Sequence, residues 1–224
     1  MTRDEIERRQ IIERRRRLRR RRRRIRGLVV CSVFLLLGGL FAFGLFILLG
    51  GRGVDPSTVE LPSWVDEEFL DVNPYSRPGD RLERINGIVV HYTANPGTTA
   101  MQNRNYFNGL AETKATSASS HFIIGIDGEI VQCVPLDEIA YASNDRNSDT
   151  LSIECCHPDE TGEFTEETYQ SLVKLTAWLC NELHIKPKEI IRHYDVTGKA
   201  CPKYFVDHED AWEQFKKDVK VNME

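Results

Sequence analysis

The feature that most constrains this chain is the run LVVCSVFLLLGGLFAFGLFILL, 22 residues without a charge from Leu28 to Leu49. A helix rising about 1.5 Å per residue crosses the roughly 30 Å hydrocarbon layer of a bilayer at that length. The run therefore predicts one N-terminal transmembrane helix over residues 27–50, in contact with lipid through residues 28–49. A cleavable signal peptide fits less well, because the usual apolar core is about 7–15 residues and the following GGRGVDPS holds no clear small-x-small cleavage site. Cys31 sits at the start of the run behind Val30, whereas a lipid-attachment cysteine ends such a run behind a small residue.

Charge sets the orientation. Residues 1–26 hold 14 Arg against four acidic residues, while the other flank of the run has only Arg52 nearby. Arginine stays on the cytoplasmic side, so the N-terminus is predicted inside and the remainder outside. The tract RRRRLRRRRRRIR reads as a topology signal that also touches anionic headgroups. Beyond it, 16 basic residues face 30 acidic ones, and the modest net charge of −4 for the whole chain hides this segregation. A globular nucleic-acid-binding domain is disfavoured, since the part long enough to fold is acidic and repels phosphate.

Residues 51–82 carry Pro56, Pro62, Pro74 and Pro78 and are expected to form an extracellular tether. Leu61, Trp64, Val65, Phe69, Leu70 and Val72 would be wasted in water, so the tether is expected to pack partly on the domain that follows, residues 83–224. There, INGIVVHYTA (85–94), TLSIECC (150–156) and EIIRHY (189–194) read as strands. SSHFIIGI and EIVQCV, joined by Asp127-Gly128, read as a hairpin. Thr99–Leu110 and His208–Lys220 read as helices. Thr165 is expected to cap another whose apolar face holds Tyr169, Leu172, Val173, Thr176, Leu179, Cys180 and Leu183. The expectation is a single α/β domain with a central mixed β-sheet flanked by helices.

His91 and His193 fall near the ends of the apolar strands IVVHY and IIRHY, and Cys201 follows His193 by eight residues across DVTGKACP. Two imidazoles and a thiolate offer zinc three ligands and leave a fourth position open, the form of a catalytic site. Taken singly, each histidine is more often a satisfied core or surface residue, and Cys201 reads equally as a buried thiol.

HYTANPGT, SSHFIIGIDGEIVQCVP, LSIE and RHYDVTGKACP, in this order across about residues 84–205, resemble the zinc-dependent N-acetylmuramoyl-L-alanine amidase family, which includes peptidoglycan recognition proteins and phage lysozyme-type amidases. The resemblance implies one zinc ion held by His91, His193 and Cys201, a lysine at position 199 that stabilises an oxyanion, and a peptidoglycan or muropeptide substrate. It also exposes a departure: Ser120 stands where phage-type members carry a catalytic tyrosine before the histidine of the His-Phe pair. Another branch uses a glutamate on the strand that reads LSIE here, which implies Glu154 as general base, a role suited to a carboxylate beside a metal-activated water.

Thr93, Asn95, Asn144 and His157 are candidate substrate contacts. His121 is expected to support the sheet, with His184 and His208 at the surface. If Cys201 binds zinc, Cys133, Cys155, Cys156 and Cys180 admit three pairings for two disulfides; Cys180 reaches Cys155 only if its helix covers the sheet, and buried free thiols are the default expectation. A peptidoglycan-binding module without activity and a zinc peptidase acting within the stem peptide are the competing functions. The expected location is the bacterial cell surface, with a single-pass anchor.

Overall fold

The computed structural model describes residues 54–223. The apolar run and the Arg-rich segment lie outside them. Among the described residues, no helix is long and apolar enough to cross a membrane.

Among the described residues, six strands form one sheet: β1 (Asp66–Glu67), β2 (Gly87–Tyr92), β3 (Phe122–Ile124), β4 (Ile130–Gln132), β5 (Thr150–Cys155) and β6 (Ile190–Arg192). Their spatial order is β1-β4-β3-β5-β2-β6. Only the β3/β4 hairpin is antiparallel. The domain is thus mixed α/β around a central sheet. β2 and β5 are buried along nearly their whole length; β2 (GIVVHY) accordingly reads as a nearly unbroken apolar run, as central parallel strands do, whereas β5 (TLSIEC) alternates, with Thr150, Ser152 and Glu154 on one face. The hairpin turns at Gly128, whose φ of +84° is open to glycine and strained for other residues.

Among the described residues, five α-helices accompany the sheet: α1 (Ala100–Thr113), α2 (Glu166–Leu183), α3 (His193–Thr197), α4 (Lys203–Asp207) and α5 (Glu209–Asn222). Thr99 caps α1 in a reciprocal box with Gln102, and Thr165 caps α2 by accepting from the Thr168 amide. Strand alternation sorts the core in two. Ile88, Val90, Ile153 and Cys155 pack with Leu172, Leu179, Phe215 and Val219 of α2 and α5, whereas Ile123, Val131 and Cys156 pack with Phe107 and Leu110 of α1.

Residues 54–82 are built into this domain. β1 adds a parallel edge strand beside β4, and the Glu68 and Leu70 amides donate to the Gln132 and Cys133 carbonyls at 2.9 Å. Trp64 meets Trp178 of α2 edge-on at 6.0 Å, and Lys174 Nζ lies 4.1 Å from the Trp64 ring centroid. Leu70 and Leu82 are 1% exposed. The two-residue β1 leaves only a short acidic edge, which blunts strand-to-strand aggregation.

The five described cysteines are all buried and free, so the Cys180–Cys155 pairing is not present. Burial pushes the Cys133, Cys156 and Cys180 thiols up to about 12, which makes them inert packing groups.

Candidate active site

Side chains on β2 alternate between the two faces, and those on the α2 and α5 side are apolar. His91 therefore falls on the α1 side, in register with Glu154 across the parallel β2/β5 pair. His193 does not end a strand, as expected from IIRHY. β6 stops at Arg192, and His193 opens α3, a single turn held by Asp195, which accepts from the Arg192 amide and guanidinium. Arg192 is fixed in turn by Glu209 and the Phe205 carbonyl. Gly198, at φ +76°, ends α3 and reverses the chain. The Cys201 carbonyl then accepts from the Tyr194 amide at 2.8 Å, which sets the cysteine against the histidines.

One ligand atom from each of His91, His193 and Cys201 falls within 4.8 Å of the others. The Cys201 Sγ lies 3.8 Å from His91 Nδ1, and the two imidazole centroids are 4.7 Å apart. Burial drives His91 well below its ordinary pKa, with His193 and Lys199 adding to the effect. It also lowers His193, with Lys199 in the same direction. Both shifts favour the neutral ring, the form with a lone pair to offer. Burial pushes the Cys201 thiol up to about 12, opposed by the Tyr92 backbone and Lys199. Two neutral imidazoles and a thiol that needs a cation to ionise fit a zinc ion.

These three residues line a cleft of about 370 Å³ with Thr93, Phe107, Tyr141, Asn144, Glu154 and Lys199. Burial pushes the Glu154 carboxyl up to about 8, while Lys199 pulls it down. A bound dication would pull the same way as Lys199. Glu154 Oε2 and Thr93 Oγ1 are buried without a hydrogen-bond partner among the described residues. Such orphaned atoms are costly unless something binds there.

The other expected positions divide. Asn144 lines the cleft, but its Oδ1 is 3.0 Å from His193 Nε2. Asn95 is exposed and His157 is buried, and neither lines the cleft. His157 packs at a tilt against the Tyr92 ring and donates from Nδ1 to the Asp159 carbonyl, while its Nε2 is buried without a partner among the described residues. His121 is buried among Ser152 and the Glu138 carbonyl, while His184 and His208 are exposed. Ser120, the residue replacing the phage-type tyrosine, is wholly buried and donates to Ser152 Oγ, away from the cleft. Sequence reasoning missed Phe107, Tyr141 and Ser143, which lie on a helix face and in a loop with no motif of their own.

The sequence profile of the family described as N-acetylmuramoyl-L-alanine amidase matches residues 81–204. The chain belongs to this family. It is 35% identical over 168 residues to the N-acetylmuramoyl-L-alanine amidase CwlL of Bacillus licheniformis, covering 69% of this chain and 46% of that protein. It is 33% identical over 176 residues to the amidase BlyA of Bacillus subtilis (strain 168), with the same coverage. The chain thus spans about half the length of the curated relatives it matches. Among solved structures, the catalytic domain of XlyA aligns with a TM-score of 0.59 at 27% identity, covering 69% of this chain and 98% of that one. PlyL aligns at 0.60 and 21% identity, covering 69% and 96%, a likeness of fold.

Proposed function

We propose that this member of the amidase family is a membrane-anchored peptidoglycan hydrolase that cleaves the amide between N-acetylmuramic acid and the L-alanine of the stem peptide. The observation that carries the reading is convergence: His91, His193, Cys201, Glu154 and Lys199, drawn from β2, β5, α3 and the loop after it, line one cleft. A pure binding module has no use for the buried carboxylate or the thiol.

His91, His193 and Cys201 would hold a single zinc ion, which when bound supplies Lewis acidity and brings the pKa of a water toward about 7. Glu154 accepts the proton of the attacking water through its unpartnered Oε2 and passes it to the departing alanine amine. Lys199, exposed at the cleft wall, supports the charge that develops on the lactyl carbonyl oxygen. Thr93, which lines the cleft and whose Oγ1 has no partner among the described residues, is the side chain that would meet the substrate. The C–N bond breaks, leaving a glycan with a free lactyl carboxylate and a peptide with a new amino terminus. Residues 27–50 anchor the domain at the outer face of the cytoplasmic membrane of a bacterium, where local concentration stands in for charge attraction to an anionic wall.

The test is release of new alanine amino termini from purified peptidoglycan by the full chain, which should vanish with a chelator and return with zinc. Undiminished release in chelator would contradict the reading.

A further inference from the structure

Ser143 and Asn144 are consecutive in the loop between β4 and β5, and each meets a different metal-site histidine. Ser143 Oγ lies 3.1 Å from His91 Nε2, and Asn144 Oδ1 lies 3.0 Å from His193 Nε2. An amide oxygen can only accept, so the second contact requires a hydrogen on Nε2 of His193. A neutral imidazole carries one ring hydrogen, which leaves Nδ1 with its lone pair. In His91, Nδ1 is the atom that faces Cys201 Sγ at 3.8 Å and Glu154 Oε1 at 3.9 Å, so Nε2 is again the outward atom.

The loop is built to hold these two side chains. Asn147 Oδ1 accepts from the amides of both Ala142 and Ser143. The Arg146 and Asn147 amides close a turn on the Ser143 and Asn144 carbonyls at 3.0 Å. Asn144 sits at φ +52°, a left-handed conformation that asparagine tolerates better than most side chains. Ser143 is 1% exposed and has its hydroxyl at the ring of His91.

We infer that Ser143 and Asn144 form a positioning clamp that fixes the Nε2–H tautomer of both histidines and turns both Nδ1 atoms inward to the metal site, with Asn147 as its anchor. The inference rests on the zinc reading above. It moves Asn144 from substrate contact to positioning residue, and it makes one loop responsible for both imidazole ligands.

The test uses the full chain in detergent and Zn²⁺ alone, competed against a chromophoric chelator. Asn144→Gly, which removes the acceptor and suits the positive φ, and Ser143→Ala should each weaken zinc binding by about 10- to 100-fold. Asn147→Ala, which touches neither histidine, should weaken it comparably, and Asn144→Asp, which keeps the acceptor, should restore it. Zinc binding unchanged in Asn144→Gly and Ser143→Ala, but lost in His91→Ala, would overturn the clamp and leave the zinc reading standing. Absence of zinc binding by the unmodified chain would overturn both. Should a variant fail to fold, ¹⁵N spectra of the unmodified zinc-free chain decide. Ring protons on Nε2 of both histidines are expected, and a proton on Nδ1 of either would overturn the clamp.

Discussion

His91 and Glu154 are register partners on adjacent parallel strands, and His91 Nδ1 lies 3.9 Å from Glu154 Oε1. A proposed metal ligand and a proposed base are thus fixed to each other by backbone hydrogen bonding, without a loop between them. Because the carboxylate is set beside the metal site and is not one of its three ligands, Glu154→Gln should keep zinc while losing about 100- to 10,000-fold in kcat. Metal analysis alongside kinetics checks this. Zinc lost in step with activity would make Glu154 a ligand instead.

Removing a ligand should have the opposite signature. His193→Ala and Cys201→Ser are expected to abolish both zinc content and amide cleavage, since a three-residue donor set does not survive the loss of one strong member. Retained stoichiometric zinc in His193→Ala would place the metal elsewhere.

His121 gives a pH prediction away from the metal. The Ser152 amide donates to its Nδ1 at 3.0 Å and its Nε2 donates to the Glu138 carbonyl, so protonating Nδ1 breaks an internal bond. Burial lowers its pKa from 6.5 to about 4, partly offset by Glu138. The unfolded chain then binds more protons than the folded one between pH 6.5 and about 4. Stability from this residue is complete above that window and falls as pH drops through it, by about 3 kcal/mol. A histidine-resolved NMR titration should show His121 neutral at pH 5.5, a condition chosen about one pH unit below the ordinary midpoint. Protonation there would contradict the assignment.

The segment before β2 should matter to stability. Leu70 is buried against the α1 side of the sheet, and Leu70→Ala should destabilise the domain by about 2–5 kcal/mol. All three tryptophans, Trp64, Trp178 and Trp212, lie in the described domain, so denaturation followed by tryptophan fluorescence in the full chain reads this unit alone. A loss under about 1 kcal/mol would show that the segment merely rests on the domain.

Much of this was legible in the residues. The Asp127-Gly128 turn, the Thr165 cap and the central strands follow from local chemistry, from the apolar run of β2 and from the alternation of β5. Glu154 was legible because strand alternation separates it from Ile153. What was not legible depends on contacts between distant segments. β1 is too short to carry a periodicity and exists because β4 offers it an edge. His193 leaves the strand because Asp195, Arg192 and Glu209 cap a helical turn there. Asn144 was read as a substrate contact because no spacing rule shows that its amide oxygen meets a histidine 49 residues away.

The most direct test of the central claim is mass analysis of peptidoglycan digested by the zinc-loaded full chain. The account predicts intact glycan chains bearing free lactyl groups, together with intact stem peptides that begin at L-alanine. Shortened peptides still attached to muramic acid, or undigested polymer, would contradict it.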